Sequence, residues 1–236
     1  MVSGSAAFAD ANSKSTTVTL SSDATISANF KKIAQPTIYT FKDGRDGKSY
    51  NYVEIGTQKW MAENLNFEVT GSKCYDNSPD SCAKYGRLYD WAMAMGLPSD
   101  CNKESCSNLI DTPHPGICPN NWHIPTRNEW DTLVNFVGAK AGTKLKSEAG
   151  WNSSNNVPLG TDDYGFSALP GGYFDNSYSS DYFSYVGSSG YWWSVTGTEY
   201  SAGSARRWDM DSSSENVSSY DYGNKTYLYS VRCVAD

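Results

Sequence analysis

The residues with the clearest chemical options are the six cysteines, and their spacing argues against a metal site. They are Cys74, Cys82, Cys101, Cys106, Cys118 and Cys233. A zinc site needs closely paired cysteines or neighbouring histidines. Here 7, 18, 4, 11 and 114 residues separate successive cysteines, and the chain has 2 histidines. We therefore expect no metal site and three disulfides formed in an oxidising compartment.

The most local pairing joins Cys74 to Cys82 and Cys101 to Cys106, which leaves Cys118 for Cys233. That last bond would tie the middle of the chain to its end. In the chain-entropy model, closing a loop of this length stabilises a fold by about 4–5 kcal/mol. Six cysteines allow many other connectivities, so this pairing is a hypothesis.

The two histidines are poor candidates for catalytic residues. His123 lies just before a predicted helix, where we expect a buried hydrogen-bonding role. His114 lies between two prolines in a predicted loop, where we expect it to be exposed. A histidine-based catalytic triad therefore has no evident basis in this sequence.

Paired carboxylates are another catalytic option, since two acids across a cleft can hydrolyse glycosidic bonds. Asp162 adjoins Asp163, and Asp209 lies two residues from Asp211. We interpret both pairs as solvated loop residues. We expect no cofactor, apart from a calcium ion that could bind weakly in such a loop. No glycine-rich phosphate loop follows a strand into a helix. We expect the protein not to be an enzyme.

Charge and hydropathy exclude several partners. The net charge is −7 and the isoelectric point about 4.8, whereas nucleic-acid-binding proteins carry basic patches and anionic membranes attract basic surfaces. No apolar run is long enough for a transmembrane helix. The first ten residues lack the charged start of a signal peptide, so we expect the chain to be cut from a longer exported precursor.

A ligand-binding surface is the best-supported chemistry. Ten of the 17 tyrosines lie between Tyr173 and Tyr229, among many Ser, Asp, Gly and Asn residues. Tyrosine and tryptophan supply rigid amphipathic contact area in antibody-like binding surfaces, and small polar residues add hydrogen bonds. The partner would be a cell-surface protein or a glycan. The candidate binding residues are Tyr191, Trp193, Tyr200, Arg206, Trp208, Asp209, Asp211, Tyr220 and Tyr222.

The alternative is that these aromatic residues fill a core that is poor in leucine and isoleucine. Successive residues of a strand point to opposite faces, so we expect at least one of Trp192 and Trp193 to face outward or toward a loop. The polar surroundings of Arg206, Arg207 and Trp208 favour exposure. If these residues are buried instead, a structural module without a specific ligand becomes the better hypothesis.

The elements that would carry this surface are mostly strands. Residues 14–30 alternate β-forming residues around Ser-Ser-Asp, which predicts a β-hairpin, and residues 31–36 would form a linker. Residues 39–60 read as strand, glycine-rich turn, strand, turn and strand. Residues 82–95 have helical spacing, residues 97–121 read as loop, and no helix is evident after Trp151. Short β-runs are expected at 191–195 and 227–234. This order predicts an α+β fold with two helices, short antiparallel sheets and long loops.

The clearest local signal is a capping box at Thr126 and Glu129, which can satisfy each other's backbone amides. Trp130, Leu133, Val134 and Val137 follow at helical spacing, so the helix should bury one face. Gly138 is a suitable end signal. We interpret this cap as structural.

Several segments together resemble the Fibrobacter succinogenes major paralogous domain. They are DGRDGKSY (43–50), QKWMAENL (58–65), YGRLYDWA (85–92), CPNNWHIPTRNEW (118–130), DYGFSALPGG (163–172) and SVRCV (230–234). They occur in the family's order between residues 41 and 236. The resemblance implies a C-type-lectin-like fold over residues 36–236, on an exported bacterial protein that is secreted or at the cell surface. Residues 1–35 would be a separate hairpin and linker, the tail of a preceding β-repeat.

Two relatives of that fold have sites that this sequence does not reproduce. Calcium-dependent lectins carry Glu-Pro-Asn or Gln-Pro-Asp and Trp-Asn-Asp, and the nearest approach here is Trp208-Asp209-Met210-Asp211. Copper-binding sulfatase-activating oxidases use a cysteine pair, which the disulfide hypothesis leaves no room for. A carbohydrate-binding lectin is therefore less well supported than a ligand-binding domain or a structural module.

The composition of residues 191–227 is also similar to the variable region of retroelement-diversified C-type-lectin-like proteins. In those proteins, mutagenesis of Asn codons yields Tyr, Ser, Asp and Gly near the C-terminus. We therefore expect a non-enzymatic ligand-binding or adhesin domain, and a hypervariable C-terminal surface is an open hypothesis.

Overall fold

The chain divides into two compact units, Met1–Ala34 and Gln35–Asp236. A computed structural model describes residues 35–153, 157, 159–176, 182–197 and 201–235, together with four short strands nearer the start. Within these ranges no helix is both long and apolar enough to cross a membrane.

The first unit contains strands β1 (Val2–Ser3), β2 (Ala6–Phe8), β3 (Val18–Leu20) and β4 (Thr25–Ile26). β2 pairs with β3 and β1 pairs with β4, both antiparallel. The prediction of a hairpin within residues 14–30 is therefore wrong in its pairing. The alternation correctly marked two strands there, but a period of two identifies a strand and not its partner.

The second unit begins with the smaller of its two sheets. Strands β5 (Tyr39–Lys42), β6 (Ser49–Ile55) and β7 (Gln58–Met61) form an antiparallel meander, as the sequence predicted. The last strand, β13 (Val234–Ala235), pairs with β7. The end of the chain therefore lies beside the strands with which this unit starts.

Four α-helices occur among the described residues, where the sequence predicted two: α1 (Pro79–Tyr85), α2 (Trp91–Met95), α3 (Arg127–Val137) and α4 (Ala141–Leu145). The single helix expected at 82–95 is broken at Gly86, whose φ is +75°. A side chain there would lie 2.8 Å from the carbonyl of Leu65, so only glycine fits. The expected loop at 97–121 contains 3₁₀ turns at Ser99–Asn102 and Ser107–Leu109.

The capping box of α3 is confirmed. The Glu129 amide donates to the Thr126 hydroxyl at 3.2 Å, and the Thr126 amide donates to the Glu129 carboxylate at 2.8 Å. Trp130, Leu133 and Val137 are buried, and the helix ends at Gly138. This buried stripe is the side of α3 that packs against the larger sheet.

The larger sheet consists of β8 (Gly171–Asp175), β9 (Tyr182–Val186), β10 (Ser189–Gly197), β11 (Ser204–Asp211) and β12 (Val217–Asn224). Among the described residues its order is β12-β11-β10-β8-β9. Neighbours are antiparallel except β10 and β8, which meet in parallel at Gly190 and Gly172. The expected strand at 191–195 lies within β10.

The expected strand at 227–234 is instead a segment that runs between β8 and β10 where these diverge. Leu228 exchanges backbone hydrogen bonds with Phe174 of β8, and Ser230 accepts one from the Trp193 amide of β10. Regular strand structure resumes at Val234. This insertion adds two tyrosines, Tyr227 and Tyr229, to the larger sheet.

All three expected disulfides are present. Cys74–Cys82, Cys101–Cys106 and Cys118–Cys233 have S–S distances of 2.09, 2.05 and 2.08 Å, and they account for all six cysteines. The α+β class is also confirmed, with helices and largely antiparallel sheets in one unit.

A tyrosine-lined face as the candidate functional site

The larger sheet has one side that is only partly covered. Strand register places Tyr191 opposite Asp209 and Ser218, and Trp193 opposite Arg207 and Tyr220. Directly paired residues share a face, so all of these lie on one side. Trp192 and Trp208 lie on the other side, against Trp130 of α3.

Tyrosines cross this side from one edge strand to the other. We call it the tyrosine face and define it by Tyr173, Tyr185, Tyr191, Tyr220 and Tyr227, with Arg207, Asp209 and Asp211. Tyr173 stacks on Tyr185 with ring centroids 5.8 Å apart and on Tyr227 at 5.6 Å. Tyr191 meets Tyr173 edge-on at 5.5 Å. These mutual contacts hold the rings in position before any ligand arrives.

Arg207 occupies the centre of the β11–β12 half of the face. Its guanidinium carbon lies 4.8 Å from the ring centroids of both Tyr191 and Tyr220, and 5.8 Å from that of Tyr229. Its Nη1 donates to Asp209 at 2.7 Å. The guanidinium therefore makes cation–π contacts with several rings and also pairs with a carboxylate.

The two aspartates of the face differ in electrostatics. Burial raises the pKa of Asp209 to about 6, although Arg207 acts in the opposite direction. Burial also acts to raise the pKa of Asp211, but hydrogen bonds from Ser189 and Ser213 outweigh it and the pKa is lowered. Asp211 is therefore a fixed negative charge, and Asp209 is a group whose charge changes near neutral pH.

The hydroxyls of Tyr173, Tyr191 and Tyr229 have raised pKa values and stay protonated at neutral pH. Burial, together with the nearby charge of Asp175, raises the pKa of Tyr173 to about 12. Burial also raises the pKa values of Tyr191 and Tyr229. The face thus offers flat rings and neutral hydroxyls beside charged groups.

Tyr185 reaches the face through unusual backbone geometry. Its φ is +65°, and its neighbour across the β8–β9 pair, Gly172, has a φ of +64°. A side chain at Gly172 would lie 2.2 Å from the Ser184 carbonyl. A positive φ at a bulky residue costs about 1–3 kcal/mol and persists where the surroundings impose it. Here it turns Tyr185 onto Tyr173.

The structure divides the predicted site residues into three groups. Tyr191, Asp209, Asp211 and Tyr220 lie together on the tyrosine face, and Tyr222 is 68% exposed on β12. Tyr200 lies outside the described residues. Trp193, Arg206 and Trp208 are buried, with exposed fractions of 0%, 7% and 3%. The expectation of exposure is therefore wrong for Arg206 and Trp208, and Trp193 belongs to the core rather than to a binding surface.

The reason is that both sides of β10 and β11 are covered near these residues. Trp193 packs under Tyr229 with ring centroids 4.5 Å apart, and Trp208 stacks on Trp130 at 5.4 Å. Arg206 forms a salt bridge with Asp221. Neither Trp192 nor Trp193 faces outward, because α3 covers one side and the inserted segment covers the other. Trp193 does face that segment, which is not a regular strand.

Other polar residues also depart from their predictions. Asp209 and Asp211 lie on a strand rather than in a loop. His114 is buried: its Nδ1 accepts from the Asp111 amide at 3.2 Å, so its Nε2 must donate to the Met95 carbonyl at 2.9 Å. His123 is buried as predicted, with Nε2 2.6 Å from Glu129. Both histidines thus have structural partners.

Sequence reasoning omitted Tyr173, Tyr185, Tyr227 and Arg207 from the site. Alternation along the chain could have indicated Tyr227 and Arg207. Tyr227 is two residues from Tyr229, and Arg207 is two residues from Asp209. Tyr173 and Tyr185 gave no such signal, because their place depends on pairing with β10 and on a positive φ. Within the described ranges, no group of three or more His, Cys, Asp or Glu side chains could hold a metal ion.

Comparison with family models gives a match to the Fibrobacter succinogenes major domain over residues 53–235, more than half of the chain. The predicted resemblance to this family is therefore confirmed. Searches among curated proteins and among solved structures gave no significant match. The matched range runs from β6 to β13 and includes the tyrosine face.

Proposed function

The chain belongs to the Fibrobacter succinogenes major domain family, and we propose that it is an exported, non-enzymatic domain that binds a ligand through its tyrosine face. The observation that carries this proposal is the row of mutually stacked, partly exposed tyrosines across the larger sheet. The rings in such a row already restrict one another before binding. They therefore lose little further conformational entropy when a ligand binds, which favours affinity.

Export is supported by the disulfides, because three such bonds are typical of proteins outside the reducing cytosol. A C-type-lectin-like fold is part of the proposal. It is supported by the return of β13 to β7 and by Cys118–Cys233, which together join the end of the unit to its beginning and middle.

A non-enzymatic role is supported by the state of the acid–base groups. Each histidine is buried in a structural hydrogen bond, and Asp162 accepts hydrogen bonds from Ser167 within its own turn. The purely structural alternative is supported by the buried tryptophans, but it does not account for Tyr185 and Tyr220, which are 56% and 51% exposed.

Retroelement diversification remains a hypothesis about how the face evolved. It is supported by the position of Tyr191, Asp209 and Tyr220 side by side on the partly exposed side of the strands. A reverse transcriptase gene and a template repeat beside this gene would support it, and gene copies whose differences fall equally on Trp192 and Trp208 would count against it.

The experiment is a screen of the chain against immobilised glycans and bacterial surface proteins, followed by mapping of any ligand with isotope-labelled tyrosine rings. We expect the ring signals of Tyr173, Tyr185 and Tyr220 to shift on binding. The matched internal control is Tyr39 on β5, which is 39% exposed and stacks on Tyr52 in the other sheet. A ligand that shifts Tyr39 and leaves the three face tyrosines unchanged would place binding elsewhere.

A further inference from the structure

We infer that the tyrosine face recognises a cationic ligand, namely a basic polypeptide segment that presents arginine or lysine side chains to the tyrosine rings. This inference rests on the proposed function and names the partner of the same site. The inference depends on the charges of the face, on the position of Arg207 between Tyr191 and Tyr220, and on the kinds of side chain that the face exposes.

Negative charge predominates on the face. Asp209 and Asp211 lie on β11, and alternation along β8 places Asp175, which is buried, beneath the same side as Tyr173. Arg207 is the cation among the described residues that define the face, and the buried Lys146 lies next to Asp211, to whose carbonyl its Nζ donates at 3.0 Å. The whole chain has a net charge of −7. An approaching cation is therefore attracted over a distance, whereas an anion is repelled.

The protein itself shows that this cluster accepts a cation. The Arg207 guanidinium lies 4.8 Å from both Tyr191 and Tyr220, with a carboxylate oxygen of Asp209 2.7 Å from Nη1. Rings and a carboxylate around a positive group are the chemistry by which aromatic sites bind cations. Beyond Arg207, the row of rings continues with Tyr173 on β8, Tyr185 on β9 and Tyr227 in the inserted segment.

The exposed groups also suit such a ligand. The side chains that define the face are tyrosines, aspartates and one arginine, all of them partly or well exposed and none of them aliphatic. Neutral tyrosine hydroxyls can accept hydrogen bonds from ammonium or guanidinium groups as well as donate to peptide carbonyls. A basic polypeptide offers both kinds of partner along its length.

The test uses the full chain and three synthetic peptides that alternate serine with arginine, glutamate or glutamine, plus an array of neutral oligosaccharides. Binding is measured by calorimetry at low ionic strength. We expect the arginine peptide to bind, and to bind about tenfold more weakly to Asp209→Asn and Asp211→Asn, as expected for loss of one close charge contact. The glutamate and glutamine peptides should not bind.

Two matched controls separate a specific site from overall charge. Asp131→Asn and Asp163→Asn make the same change in net charge on α3 and on the loop before β8, and they should leave affinity within about twofold, as expected for screened distant charges. Equal weakening in both pairs of variants, or no binding of the arginine peptide, overturns the inference.

Arg207→Gln gives a test of opposite sign. It removes the internal cation from the seat between Tyr191 and Tyr220, so the arginine peptide should bind several-fold more tightly, while Arg207→Lys should bind as the parent does. Loss of binding in Arg207→Gln, with a melting temperature close to that of the parent, would mean that Arg207 itself holds the ligand, and the inference falls.

Failure of the inference differs from failure of the proposed function. If a neutral glycan or the glutamate peptide binds, and Tyr185→Ser with Tyr220→Ser abolishes that binding, the tyrosine face is a binding site for another ligand class. If no probe's binding depends on those two tyrosines, both proposals are wrong.

Discussion

Tyr185 stacks on Tyr173 with ring centroids 5.8 Å apart and an interplanar angle of 16°, and it does so from a backbone with a φ of +65°. A regular strand would place successive residues on opposite sides, and the positive φ brings Tyr185 to the side that carries Tyr173. The energy of that conformation is thus used to add a ring at the β9 edge of the tyrosine face.

Replacing Tyr185 should therefore separate stability from binding. Asparagine tolerates a positive φ better than tyrosine, so in Tyr185→Asn relief of strain should offset the lost ring contact and leave the free energy of unfolding nearly unchanged. Tyr182→Asn, on the same strand at an ordinary φ, should cost about 0.5–1 kcal/mol through lost strand preference. Urea denaturation of both variants measures this, and a larger loss in Tyr185→Asn would show that the φ is not strained.

Trp208 and Tyr220 lie on neighbouring strands and should respond oppositely to alanine. Trp208 is 3% exposed and stacks on Trp130, so Trp208→Ala should cost about 3–5 kcal/mol. Tyr220 is 51% exposed, so Tyr220→Ala should cost less than about 1 kcal/mol, most of it the contact with Arg207. Thermal melts of the two variants decide between them. Similar losses would mean that Tyr220 is part of the core.

The long-range disulfide should matter more than the short one. Cys118–Cys233 spans 115 residues and Cys101–Cys106 spans 5. In the chain-entropy model, replacing both cysteines by serine should cost about 5 kcal/mol for the first bond and about 2 kcal/mol for the second. Chemical denaturation of the two double variants gives the comparison. Equal losses would show that native-state effects, rather than loop length, set the contribution.

The features that could be predicted from the sequence are those that depend on nearby residues. The capping box, the β5–β7 meander and the disulfides were predictable, because each depends on residues close in sequence or on a single remaining pair. The burial of Trp193 and Trp208 was not, because it depends on α3 and the 228–230 segment, which are distant in sequence and cover the two sides of the larger sheet. The polar neighbours of Trp208 belong to the opposite side of the same strand.

Asp209 should make stability fall as the pH rises. Its folded-state pKa is about 6 against an ordinary value of 3.8, so the folded state binds the proton more tightly than the unfolded state does. The stabilisation is complete below about pH 4 and is lost as the pH passes 6, by on the order of 2 kcal/mol. Asp209→Asn lacks this ionisation.

The stability of the parent relative to Asp209→Asn should therefore decline between about pH 4 and pH 7. Denaturant unfolding at several pH values measures the difference, in which titrations common to both proteins cancel. A difference that does not change with pH would show that Arg207 offsets the effect of burial.

Ligand binding by the tyrosine face is tested by the dissociation constants of three proteins for one ligand. The proteins are the parent, the double variant Tyr185→Ser with Tyr220→Ser, and the control Tyr39→Ser on the smaller sheet. We expect the double variant to lose at least about 100-fold in affinity, since buried aromatic contacts in an interface are often worth about 2 kcal/mol each, with its fold retained. The control should bind as the parent does. A double variant that binds within about threefold of the parent would show that the ligand binds elsewhere than on the tyrosine face.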